Sequence, residues 1–314
     1  MSGTEHDRTA TRLPWPIGPA EPRSIVSLIG DGTIDPSLAS LLWLLIEARV
    51  PLVVAAGPQG SGKTTLLFAL LDLLPPAVRL RVLAGYAEDF DWLPEAATLG
   101  WRPHGFTGIA AASSWGRAAS LPEQAGGGPV DPATTCLLVP EFSEHIPLYT
   151  WGEQARIAVR AISLGYDLGA TIHAESLEEV FELLGGPEVG LTDDELSRLG
   201  VVLILRVVRA PSDGRPVRRV VAAHYVRPVA RDAAGHVQRL GPAVLATWDG
   251  RADRFEDFAW GVVPELAERV GRKAGDFETE RDRRAGYLAE LVRAGLYGRD
   301  EVAAAIAHWG HAGR

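Results

Sequence analysis

The chain has 314 residues, 46% hydrophobic and 23% charged, enough apolar material for a sizeable globular core. A formal net charge of −9 argues against general binding to nucleic-acid backbones, which attract a concentrated basic surface. The one cysteine, Cys136, excludes an intrachain disulfide and a cysteine-cluster metal site, and fits a reducing cytosol.

Residues 1–23 are polar, contain proline and have no apolar core, so they read as a flexible lead-in and not as a secretory signal. A short amphipathic piece covers residues 24–31. Asp35-Pro36 then supplies an N-cap and a first-turn proline for a helix over 37–49, ended by Pro51. Leu41, Leu42, Trp43, Leu44 and Leu45 turn that helix toward a core. The apolar stretch 38–56 is broken by Ser40, Glu47, Arg49 and Pro51, so it does not cross a bilayer as one helix.

Residues 52–56 read as a buried strand, followed by a glycine-rich loop and a helix over 64–74 that Pro75-Pro76 stops. A second strand covers 80–84. Residues 100–133 show no periodicity and read as irregular. Further strands are predicted at 135–139 and 168–173, and helices at 153–164 and 177–184. A hairpin pairs 201–208 with 217–226 around Ser212-Asp213-Gly214. The tail, 263–309, is helical, with Tyr287, Leu288, Leu291 and Val292 on one inner face. The alternation predicts an α/β fold: a mainly parallel sheet with helices on both faces, a core over 24–260 and a helical region over 261–314.

The strongest chemical signal is Gly57-Pro58-Gln59-Gly60-Ser61-Gly62-Lys63-Thr64, followed by Thr65. It fits G-x-x-x-x-G-K-[ST] at every fixed position, between a strand and a helix. Glycines let the backbone wrap phosphates with inward N–H groups, and the helix N-terminus adds partial positive charge. Lys63 would pair with the terminal phosphates of ATP, and the Thr64 hydroxyl would ligate Mg2+. The alternative is a glycine-rich turn without a ligand.

Three other places carry candidate chemistry. Cys136-Leu137-Leu138-Val139-Pro140-Glu141 is a hydrophobic strand ending in an acid, where a carboxylate sits near metal or attacking water. A solvated acid at a strand end is the alternative. Ala170-Thr171-Ile172-His173-Ala174 ends a strand in a histidine, a residue more often structural than functional. Glu88 and Asp89 follow the second strand, where an acidic turn is the plain reading.

In order along the chain, these blocks resemble the type II/type IV secretion ATPase superfamily, whose members power type IV pili, archaella and export machines. The blocks are Leu28-Ile29 through Ile46-Glu47, the P-loop, Glu88-Asp89, Val139-Pro140-Glu141, and Gly165 through Ser176. The tight-adherence and archaeal branches look most similar. Arg206-Val207-Val208-Arg209 and Val217-Arg218-Arg219-Val220 resemble the family's terminal hairpin, and residues 284–309 its last helices.

The resemblance implies a RecA-like P-loop ATPase core without the family's large N-terminal domain. It implies Glu141 as the Walker B carboxylate acting on water or magnesium, His173 near the γ-phosphate, and Glu88 organising water or metal. It further implies a cytoplasmic homohexamer held to the membrane through a polytopic inner-membrane platform protein. Several positions depart from the pattern: Pro140 for glycine, Ser143 for arginine, Tyr166 for histidine and Glu175 for asparagine. No arginine lies in 118–135, and Arg102 and Arg117 are the nearest substitutes. These departures keep a second reading open, a non-motor ATP-binding subunit or regulator.

Overall fold

Strand β1 (Leu52–Ala55) is buried along its whole length at the centre of an eight-stranded sheet. The computed structural model describes residues 22–57, 60–102, 130–210, 213–231 and 236–312. The lead-in up to residue 21, most of the irregular segment, Pro58, Gln59, Arg117 and Ser212 lie outside the described residues.

Before β1 come α1 (Ile25–Gly30) and α2 (Pro36–Glu47). The Asp35 side chain accepts from the Leu38 N–H, the N-cap that the sequence predicts. After β1 come α3 (Lys63–Leu71), β2 (Arg79–Val82), β3 (Thr135–Phe142), α4 (Gly152–Ala161), β4 (Asp167–Ile172) and α5 (Leu177–Gly185). A short α6 (Asp193–Leu196) leads into β5 (Val201–Arg209) and β6 (Pro216–Tyr225). Then come β7 (Ala230–Arg231), β8 (Val237–Gln238), β9 (Ala243–Asp249) and β10 (Arg254–Asp257). Helices α7 (Val263–Arg269), α8 (Ala274–Arg293) and α9 (Arg299–Ala312) end the chain.

The strand order is β10-β9-β6-β5-β1-β4-β3-β2, with β7 and β8 in a separate two-stranded sheet. From β2 to β5 the five neighbours run parallel, and β6, β9 and β10 continue the sheet antiparallel. The expected RecA-like α/β core with a mainly parallel sheet is therefore present. The antiparallel extension by β9 and β10 was not foreseen.

Alternate residues of each central strand face opposite layers. Leu52, Val54, Cys136, Leu138, Val201 and Leu203 join the core formed with α1–α3 and α7–α9. Val53, Ala55, Leu137, Val139, Val202 and Ile204 join a second core, with α4, α5 and the aromatic residues Phe90 and Trp92. Burial on both faces makes these strands read as unbroken apolar runs. Crossovers on both sides of β1 leave a crevice at the carboxyl ends of β1, β3 and β4, where α/β sheets take ligands.

Candidate nucleotide-binding site

Three adjacent parallel strands deliver the polar side chains to one place. Gly57 follows β1, and the register pairs Ala55 with Ile172, so His173 comes level with the start of the loop. His173 Nδ1 lies 2.8 Å from the Gly57 carbonyl oxygen and 3.3 Å from Lys63 Nζ. One ring nitrogen serves only one of these neighbours. Protonated, it donates to Gly57; unprotonated, it accepts from Lys63.

Glu141 sits inside β3 and not at its end as the sequence suggests, because the strand runs on to Phe142. Pro140 has no N–H to give the ladder, and the β3–β4 register shifts between Val139 and Phe142. Glu141 Oε2 lies 3.5 Å from Lys63 Nζ, 4.0 Å from His173 Nε2 and 2.9 Å from Thr171 Oγ1. The Thr171 hydroxyl is also 2.6 Å from the Pro140 carbonyl oxygen, so it ties the shifted backbone to the carboxylate. Among the described residues Glu141 Oε1 is buried without a hydrogen-bond partner, a group that ordinarily finds a ligand or water.

Lys63 and Glu141 are both buried, with side chains 6% and 7% exposed. Burial disfavours each charged form: it lowers the Lys63 pKa and raises that of Glu141, while each group's charge opposes the other's shift. A polyphosphate would restore the balance for Lys63, because it brings negative charge to a desolvated ammonium.

The loop glycines meet distinct demands. Gly60 and Gly62 hold φ of +73° and +99°, where side chains strain. A Cβ on Gly57 would collide with the Glu175 carboxylate. Ser61 is buried, and its Oγ has no hydrogen-bond partner among the described residues. Gly62 caps α3, with Lys63 in its first turn. Thr64 and Thr65 follow in that turn, both half-buried.

Glu88 makes a different kind of contact. Its oxygens accept from the Ala84 and Phe90 N–H groups and from Trp92 Nε1, which pins the segment after β2 to the second core. Among the described residues it has no hydrogen bond or ion pair with Lys63, Glu141 or His173. The backbone N–H of Arg102 donates to Glu153, 3.2 Å away.

Two groups at the site escaped sequence reasoning. Arg218, which the sequence places only in the hairpin block Val217-Arg218-Arg219-Val220, crosses from β6 to the P-loop. Its Nε donates to the Ser61 carbonyl at 2.9 Å and its Nη2 to the Gly60 carbonyl at 3.2 Å. His145, on the connection after β3, bonds to Ser143 and lies 6.2 Å from the His173 ring, centroid to centroid. Neither has a local sequence signal, because strand pairing and a loop return bring them in.

No family model matches the chain. Among curated proteins, the uncharacterized protein MJ0900 of Methanocaldococcus jannaschii is 24% identical over 287 residues, 88% of this chain and 47% of that protein. The chain thus spans about half of that relative's length. The uncharacterized protein MJ1287 of the same organism is 28% identical over 279 residues, 85% of this chain and 90% of that protein. Similar solved structures include the ATPase DotB of Legionella pneumophila, 16% identical, with a TM-score of 0.30 over 55% of this chain and 46% of that one. They also include the VirB11 ATPase of the Brucella suis type IV secretion system, solved with sulphate. It is 21% identical, with a TM-score of 0.34 over 62% of this chain and 59% of that one. Likeness at this level leaves the chain's activity to the chemistry of its own residues.

Proposed function

We propose that this chain binds ATP with magnesium at residues 57–64 and hydrolyses it, as the motor subunit of a type II/type IV secretion or type IV pilus-like assembly system. One observation carries the ATPase reading: a P-loop lysine, a buried carboxylate and a histidine converge at the carboxyl ends of β1, β3 and β4. The ordered sequence blocks support the choice of machine.

Loop amides and Lys63 would hold the phosphate chain. The buried Glu141 carboxylate, more basic than an exposed one, would accept a proton from the attacking water. His173, bonded at one nitrogen to the loop or to Lys63, would sense the terminal phosphate. Glu88 would act through the segment it pins. The Thr64 hydroxyl and the free Glu141 oxygen fit magnesium, which takes hard oxygen donors and, when bound, would screen the phosphate charge. Among the described residues no three His, Cys, Asp or Glu side chains gather as a metal site, so nucleotide oxygens would complete the shell.

As a motor the chain would work as a cytoplasmic homohexamer on a polytopic inner-membrane platform protein. Among the described residues no helix is long and apolar enough to cross a membrane. A second reading, a regulator that binds ATP without rapid turnover, draws support from Glu175. Its carboxylate lies against Gly57, where it would repel phosphate.

Turnover separates the two. The motor reading expects Glu141→Gln to bind ATP as wild type does and to hydrolyse it about a hundredfold more slowly. Equal turnover by the two proteins, at equal binding, leaves the regulator.

A further inference from the structure

We infer that Arg218 is a positioning residue of the nucleotide loop: it holds two loop carbonyls outward and so turns the next two amides toward the phosphates. The inference rests on the nucleotide reading above, and adds to it a residue from the β5–β6 hairpin.

The geometry is that of a fork. Arg218 Nε donates to the Ser61 carbonyl oxygen at 2.9 Å, and Nη2 to the Gly60 carbonyl oxygen at 3.2 Å. In a trans peptide the C=O and the following N–H point in opposite directions. With the Gly60 and Ser61 carbonyls turned toward Arg218, the N–H groups of Ser61 and Gly62 face away from it. Successive amides that face one way make an anion-binding concavity. Ser61 Oγ, buried and without a hydrogen-bond partner among the described residues, belongs to the same turn and is placed to bond a ligand oxygen.

Gly62 shows that the arrangement is built. A Cβ there would lie 2.9 Å from both Cδ and Nε of Arg218, on a residue whose φ of +99° already disfavours one. The glycine therefore leaves the passage through which the arginine reaches the loop. The neighbouring Arg219 fixes the strand from which it reaches. Arg219 is buried, and it bonds both oxygens of Asp253 and the carbonyl oxygens of Asp31 and Arg218. A guanidinium suits the task, because it presents parallel donors in one plane where an ammonium is a point. Among the described residues Arg218 has no ion-pair partner, so its charge also adds to the positive potential at the loop.

The test is calorimetric titration of Mg-ATP and of ADP into wild type, Arg218→Ala and Arg218→Lys, with the unfolding temperature of each free protein measured alongside. The expected result is a five- to tenfold loss of affinity for both nucleotides in Arg218→Ala, about the net worth of one ordinary hydrogen bond. Unfolding should move by no more than about 2 °C, as for an exposed side chain. Arg218→Lys keeps charge and fold, and should still lose about threefold because it cannot bridge both carbonyls. A purely packing role would lower the unfolding temperature and spare affinity. Wild-type affinity in both variants, with wild-type binding still dependent on Lys63, overturns the inference and leaves the nucleotide site standing. No ATP affinity in wild type overturns the nucleotide reading itself, and this inference with it.

Discussion

Two buried carboxyl groups show how a single residue's surroundings set its use. Glu141 has a cation at 3.5 Å and a hydroxyl at 2.9 Å, so its negative charge is supported where it is needed. Asp167, at the start of β4, has the Leu168 N–H at 2.7 Å but is buried, and burial pushes its pKa to about 6. The sign follows from proton counting. Between the unfolded value of about 3.8 and the folded value of about 6, the folded chain holds a proton that the unfolded chain has lost. Stability from this group is thus full below the lower value and is lost as pH rises through the upper one, by at most ~3 kcal/mol. Asp167→Asn should remove that loss: its unfolding free energy should fall less between pH 5 and pH 7 than that of wild type, by chemical denaturation. Parallel pH profiles would contradict the assignment.

At the scale of elements, the helical tail and α2 are joined by a buried cation. Arg284 on α8 is 3% exposed. It bonds Glu47 of α2 at 2.5 Å and Glu280 at 2.8 Å, and its guanidinium carbon lies 4.5 Å from the Trp43 ring centroid. Arg284→Ala leaves Glu47 without this cation, leaves Glu280 to Arg283 and uncovers an aromatic face, at a cost of about 2–4 kcal/mol in denaturant unfolding. A cost under about 0.5 kcal/mol would mean that solvent, not Arg284, satisfies these acids.

The elements best read from sequence were those with local causes. Asp35-Pro36 started α2, an apolar run followed by glycines marked β1 and the loop, and Pro75-Pro76 closed the region after α3. The residues that long-range pairing places were hidden. Strands β9 and β10 are largely half-exposed or exposed, so they lack the fully buried apolar run that revealed β1. Arg218 reaches Ser61 across 157 residues, and only the fold makes them neighbours. Lys63, Glu141 and His173 were legible because each ends a motif or lies in a strand with its own pattern. Their meeting was expected from the rule for parallel sheets, and the 3.3–4.0 Å separations agree with it.

For the whole molecule, the proposed motor needs neighbours. A chain of 33.7 kDa that works as a ring should show about six times that mass by light scattering with Mg-ATP present. A monomer mass under the same conditions would favour the regulator. Both readings depend on the same event, polyphosphate captured by loop amides and one desolvated ammonium. Calorimetric titration of Mg-ATP into wild type and Lys63→Ala tests it most directly. The account predicts saturable binding of one ATP per chain by wild type, and at least a hundredfold weaker binding once the ammonium is removed, as befits a buried charged contact. No heat of binding in wild type, or equal affinity in the two proteins, would contradict it.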